Sequence, residues 1–240
     1  MGTRHLNHGQ SIVRHALVVT GGDVPDPRVI DHLDPHHDVI CADSGFDHAH
    51  VLGLAVDVLA GDLDSVSAEG RVRAESSPIE IHRARVDKDV TDTEIALRIA
   101  VERGATSITL VTGGGGRLDH LLAVTAALAG DELASLDVLQ AWIGRDHLRI
   151  VHPGKSVPID VDVGGTVSLL PLFGAAVDVR TSGLQWNLVG ETLLGNRTRG
   201  VSNVVVHDTP TVEISSGVLA IVAPNRIEGR PHRAPIGDAS

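Results

Sequence analysis

Three groups of aspartates stand at abrupt turns of the chain: Asp43-Ser44-Gly45, Gly61-Asp62-Leu63-Asp64-Ser65 and Lys88-Asp89-Val90-Thr91-Asp92. The first two follow short apolar runs, Val39-Ile40-Cys41-Ala42 and Val56-Asp57-Val58-Leu59-Ala60. In an open parallel sheet such strand ends lie along one edge, so carboxylates far apart in sequence converge there. Converging carboxylates repel one another and resist ionisation unless a cation neutralises them. Hard oxygen ligands suit Mg²⁺, which also takes substrate phosphates as ligands. The pattern predicts a metal–nucleotide site.

Each group alone has a plainer reading. If Asp62-Leu63-Asp64 is extended, both carboxylates point the same way and can share an ion. The same residues also suit a solvated turn, and Asp89 and Asp92 suit simple capping of a helix mouth. Thr112-Gly113-Gly114-Gly115-Gly116-Arg117 follows an apolar run and leads into a helical pattern. Glycines there let backbone N–H groups approach phosphate oxygens, and Arg117 can add a bidentate contact. The loop is neither a Walker A motif nor a dinucleotide fingerprint, and a flexible connection is its bland alternative. Lys88 is placed to pair with a phosphate or with a neighbouring carboxylate. The 14 histidines show no metal-ligand spacing.

These residues need elements to position them. From Ala16 to about Ile150, short apolar runs alternate with helical patterns, which predicts parallel strands with helices on the sheet faces. Helices are expected over Phe46–Leu52, from Thr91 to Gly104, and over Leu118–Leu128; Thr91 and Glu94 have capping-box spacing. After Val151 only short Val-, Ile- and Leu-rich runs appear, split by Gly, Pro, Asn and Asp. That rhythm predicts an antiparallel sandwich or small barrel. The expected fold class is therefore α/β, with a Rossmann-like parallel-sheet domain at 16–150 and a C-terminal antiparallel β-sandwich domain at 151–223. Residues 1–15 are expected to be flexible and 224–240 disordered.

Composition bounds the partners. The 240 residues are 42% apolar and 21% charged, enough to bury a core, but only 2% aromatic, so the core must be aliphatic. A formal charge of −11 argues against a nucleic-acid surface, though not against a small anion held through a metal. The single Cys41 excludes an internal disulfide and fits a reducing cytoplasm. Neither a membrane span nor a secretory signal is expected.

Taken together, the motifs resemble those of the thiamine pyrophosphokinase family. Cys41-Ala42-Asp43-Ser44-Gly45 resembles the family's Ala-Asp-Gly-Gly, and Gly61-Asp62-Leu63-Asp64-Ser65 its Gly-Asp-Phe-Asp-Ser. Asp87 to Glu94 is similar to Lys-Asp-x-Thr-Asp-x-Glu, and Gly113 to His120 to Gly-Gly-Arg-x-Asp-His. Ser168–Leu172, Thr181–Leu188 and Gly200–Asn203 resemble the family's substrate-domain motifs, so the likeness runs in order from about residue 16 to 222. Departures are Ser44 for Gly, Leu63 for an aromatic, and a late strand, Ser216–Ile221, without the Trp many members carry.

The resemblance implies an ATP:thiamine diphosphotransferase acting as a homodimer, with thiamine bound near the subunit interface by the β half. It implies catalytic roles for Asp43, Asp62, Asp64 and Asp92, with Mg²⁺ on Asp62, Asp64 and Asp92. ATP would be held by Lys88, Asp89, Thr112, Gly113, Gly114, Gly115, Gly116, Arg117 and Asp119. Thiamine would meet Ser44, Gln185, Trp186, Ser202 and Asn203. Two rival readings are a diphosphokinase for another alcohol, such as a hydroxymethylpterin, and a non-catalytic sensing module of receiver type.

Overall fold

The computed structural model describes residues 13–83 and 90–229. Six parallel strands form its first half: β1 (His15–Val19), β2 (Asp38–Ala42), β3 (Val58–Gly61), β4 (Glu80–Arg83), β5 (Ser107–Thr112) and β6 (Val138–Ile143). Their order across the sheet is β4-β3-β2-β1-β5-β6. It reverses between β1 and β5, so a crevice opens at the carboxyl ends of those two strands. The helices are α1 (Gly45–Val51), α2 (Ala68–Ser76), α3 (Asp92–Glu102) and α4 (Leu118–Leu128). Thr91 caps α3 as its sequence signals, its Oγ1 accepting from Glu94 N at 3.3 Å.

The second half adds β7 (Asp146–Val151), β8 (Val157–Pro158), β9 (Thr166–Pro171), β10 (Ala175–Ser182), β11 (Val189–Leu194), β12 (Asn203–Val204), β13 (Thr211–Glu213) and β14 (Leu219–Ala223). β7 folds back on β6, and β14, β9 and β12 follow it as antiparallel neighbours in the same ten-stranded sheet. β11, β10, β13 and β8 make a separate four-stranded antiparallel sheet. The expected line between residues 150 and 151 thus crosses one continuous sheet. β7 was not expected as a strand, and β8 is only two residues long, because Pro158 lacks a ladder donor and the chain turns at Val161, whose N–H donates to Ile159 O.

Three aliphatic cores follow from this layering. α3 and α4 cover one face of the parallel sheet through Ala96, Leu97, Ala100 and Leu128. α1 and a 3₁₀ turn, Pro27–His32, cover the other through Phe46, Ala49 and Val29. The four-stranded sheet packs on β9 and β14 through Val179, Leu193, Val212, Leu169 and Leu219. The described residues run past both expected boundaries. His15 begins β1 and is buried, and residues 224–229 fold back in a 3₁₀ turn that buries Ile227, with His32 Nε2 3.2 Å from its carbonyl. Residues 1–12 and 230–240 lie outside the described residues.

The end of the sheet opposite the crevice is closed by charge. Asp38 is 4% exposed and accepts from Arg14 Nη2 at 2.7 Å and Arg103 Nη2 at 2.9 Å, while Arg103 Nη1 also reaches Glu80 at 2.9 Å. Four elements are tied there. Burial pushes the Asp38 carboxyl up, but the hydrogen bonds from Arg103 and Arg14 outweigh it and hold the group below the ordinary carboxylate range. A carboxylate depressed by folding stabilises the fold above its unfolded pKa and stops doing so as pH falls through its folded value. The protein should therefore lose thermal stability as pH falls below about 4. Asp38→Asn should cost about 2 kcal/mol at neutral pH, moderated because both arginines stay partly solvated. The variant should lose less on acidification than the wild type; equal acid sensitivity in thermal melts would contradict this role.

Candidate active site

Three carboxylates meet at the crevice edge of the sheet. Asp43 follows β2, Asp62 follows β3, and Asp92 opens α3; one oxygen from each lies within 4.8 Å of the others. The local backbone is bent to allow it. Asp43 takes φ +49°, and Gly61 takes φ +132°. A Cβ at Gly61 would run into Asp43 Oδ1 and stand 3.2 Å from Asp92 Cγ, so the missing side chain leaves the space in which the carboxylates gather. Three half-buried hard-oxygen donors around a space kept open by a glycine fit a divalent cation such as Mg²⁺.

Asp64 is exposed and is not one of the three that meet. Leu63 has φ +68°, so Asp62-Leu63-Asp64 is not extended, yet the Asp62 and Asp64 carboxyls still interact side chain to side chain. A left-handed Leu costs about 1–2 kcal/mol, and burial of its side chain at 6% exposure beside Val66 holds it there. Asp64 also donates its backbone N–H to Asp62 Oδ1 at 3.0 Å and accepts from the Ser65 hydroxyl at 2.9 Å. The Ser65 hydrogen bond leads the causes that hold the Asp64 carboxyl below its usual range.

The glycine loop lies across the crevice. Thr112 Oγ1 donates to Gly21 O at 2.6 Å and accepts from Gly114 N at 3.3 Å, so this hydroxyl ties two loops together. Gly113 and Gly115 press on Asp23, which leaves no room for a Cβ at either position. Asp43, Ser44, Asp92, Thr112, Gly114, Gly115, Gly116 and Arg117 line one cleft of about 430 Å³, within the usual range for ligand sites. Arg117 and Asp119 form an exposed bidentate pair, Nε to Oδ1 at 3.1 Å and Nη2 to Oδ2 at 2.6 Å, which raises the guanidinium pKa and lowers the carboxyl. Lys88 and Asp89 lie outside the described residues.

The cleft also takes Thr20, Gly21, Gly22, Asp23, Thr93 and His120, which sequence reasoning passed over. The Gly-Gly pair at the end of an apolar run was the available signal. His120, which closes the Gly-Gly-Arg-x-Asp-His stretch, is exposed and lines the cleft.

The β-half residues gather elsewhere. Asn203 is buried, and its amide is committed to the backbone of the neighbouring loop: Nδ2 donates to Trp186 O at 2.8 Å, and Oδ1 accepts from Trp186 N at 3.2 Å and Val204 N at 2.9 Å. The Trp186 side chain is thereby presented to solvent at 59% exposure. Trp186 and Asn203 line a hollow of about 310 Å³ with Leu188, Arg199 and Val201. Gln185 is exposed, and its backbone N–H donates to Val204 O at 2.9 Å. Ser202, exposed and at φ +60°, donates its N–H to Ser168 Oγ at 3.0 Å. Among the described residues, the hollow and the acidic cleft share no lining residue.

Comparison with known proteins gives this arrangement a family. Residues 31–135 match the family model for the thiamin pyrophosphokinase catalytic domain, and residues 156–219 that for the thiamin pyrophosphokinase vitamin B1 binding domain. A thiamine pyrophosphokinase of Bacillus subtilis (strain 168) is 24% identical over 209 residues, 85% of this chain and 96% of that protein. Thiamine pyrophosphokinase 3 of Oryza sativa subsp. japonica is 27% identical over 171 residues, 67% of this chain and 62% of that protein. In fold, the chain is similar to the crystal structure of thiamine pyrophosphokinase from Bacillus subtilis, with a TM-score of 0.75 at 23% identity over 88% of this chain and 98% of that one. Thiamin pyrophosphokinase from Candida albicans gives 0.70 at 16% identity over 88% and 89%. With both domain models matched in order on one chain, the protein belongs to the thiamin pyrophosphokinase family.

Proposed function

We propose that this protein transfers a diphosphate group from ATP to the hydroxyethyl oxygen of thiamine, giving thiamine diphosphate and AMP. The observation that carries the reading is the carboxylate trio at the carboxyl ends of β2 and β3, with Asp43 and Asp92 lining one cleft with the glycine loop, in a chain of this family. Asp43, Asp62 and Asp92 would hold Mg²⁺. When bound, the ion would neutralise charge on the phosphates. Asp64 serves the trio through its backbone, fixing Asp62 Oδ1.

Transfer of this kind asks a protein mainly for positioning and charge neutralisation. Backbone N–H groups of Gly115 and Gly116 and the start of α4 suit the triphosphate. Arg117 reaches it by exchanging Asp119 for a phosphate, the same fork geometry serving both partners. Lys88 and Asp89 join this set by their place in the motif. Trp186 offers a ring face to the cationic thiazolium, an interaction that suits it.

The assembly follows from the separation of cleft and hollow. We read the active unit as a homodimer in which Trp186 of one copy approaches the cleft of the other. Exposed apolar side chains at both places support it: Leu118 at 68% and Leu122 at 55% on α4, Val189 at 76% beside the hollow. Among the described residues no helix is long and apolar enough to cross a membrane. A cytoplasmic setting accords with the single, buried Cys41.

In an AMP-release assay with thiamine, ATP and Mg²⁺, Asp92→Asn should lose roughly a thousandfold in turnover while keeping its melting temperature. Gly61→Ala should lose activity on a similar scale, because the added methyl takes the space of the Asp43 carboxylate. Near-wild-type turnover in Asp92→Asn would remove the assignment. Asp92→Asn and Trp186→Ala, each inactive alone, should recover about one quarter of wild-type activity when subunits are mixed and exchanged, because half the dimers then hold one intact site. No recovery in a verified heterodimer would place Trp186 and the cleft in the same subunit.

A further inference from the structure

The carboxyl end of β1 is bonded to β5, α1 and α3 around the cleft. Thr20 N donates to Val111 O at 3.0 Å, His48 Nδ1 lies 3.2 Å from Thr20 O, and Thr112 Oγ1 binds Gly21 O. The side chain of Thr20 faces α3. Its Oγ1 lies 2.6 Å from Thr93 Oγ1, and both residues are buried at the floor of the cleft. Thr93 follows Asp92 directly in the first turn of α3. The buried apolar contacts of that helix begin later, at Ala96 and Leu97. The first turn is therefore held on β1 by a hydroxyl pair, and a hydrogen bond restricts distance and direction more sharply than apolar packing does.

We propose that the Thr20–Thr93 pair is a positioning element that sets Asp92 against Asp43 and Asp62, and so tunes the affinity of the trio for a divalent cation. The inference rests on the reading of those carboxylates as metal ligands. Neither threonine needs to touch the ion; both act through Asp92. Deleting one hydroxyl leaves the other unpaired in a buried place, whereas deleting both removes that penalty and leaves the positioning loss alone.

The test is Mn²⁺ binding to the substrate-free protein, followed by electron paramagnetic resonance, beside thermal melts. Thr20→Val and Thr93→Val should each bind Mn²⁺ roughly fivefold to tenfold more weakly. The double variant Thr20→Val/Thr93→Val should regain a near-wild-type melting temperature and still bind weakly, while Thr93→Ser, which keeps the hydroxyl, should bind within about twofold of wild type. A double variant that binds Mn²⁺ as tightly as wild type overturns the proposal. Asp92→Asn separates the two levels. If it loses Mn²⁺ while the double variant does not, positioning alone falls; if it binds Mn²⁺ normally, the ligand reading falls and the proposal with it.

Discussion

Convergence of three carboxylates on one place is the constraint around which this structure is arranged. Two unit charges about 4 Å apart, at an effective dielectric constant near 20, repel by about 4 kcal/mol. That is a large part of the few kcal/mol by which a domain of this kind is stable. The chain accepts the arrangement because each carboxylate is carried by a different element, and each element is locked by something other than the site. β2 and β3 are in fixed parallel register, Ile40 to Val58 and Ala42 to Ala60. α3 is capped by Thr91 and buried through its aliphatic face. At the far end of the same strands, Asp38 is matched by two arginines. One end of the sheet is matched by arginines within the protein; at the other, three carboxylates gather where the proposed cation would sit.

Some of the backbone strain lies at that second end. Asp43 and Leu63, neither a glycine, take left-handed backbone angles on either side of Gly61. Both conformations aim carboxylates or their backbone partners at one place, and Leu63 is held in its conformation by the apolar core beneath it. The β half then does two things. It extends the sheet past β6, which stiffens the catalytic half, and it holds Trp186 outward on a loop braced by the Asn203 amide.

Much of the fold could be read from the residues. The alternation of apolar runs and helical patterns gave the parallel half, and α4 spans Leu118–Leu128 as expected. What escaped had physical causes. β7 shows an uneven burial pattern because it is covered on both faces, so it carries no clean alternation. α2 buries just Gly70 and Ala74, too little to write a helical stripe. The ordered stretch around Ile227 looks like a tail because its single anchor is one aliphatic residue among Pro, Arg and Gly. At the site, residue types and strand ends marked Asp43, Asp62 and Asp92. The bend that leaves Asp64 exposed beside Asp62 was not legible, because it depends on a left-handed Leu that no local rule favours. Thr20 and Thr93 carried no signal either: two threonines far apart in sequence become a pair once β1 and α3 are packed.

The most direct measurement is a crystal structure with Mn²⁺ and a non-hydrolysable ATP analogue, using the anomalous signal of manganese to locate the ion. The account requires a manganese peak bonded at about 2.2 Å to one oxygen from each of Asp43, Asp62 and Asp92, with the analogue's phosphates completing the shell. Manganese bound to the triphosphate alone, with the three aspartates pointing elsewhere, would contradict it.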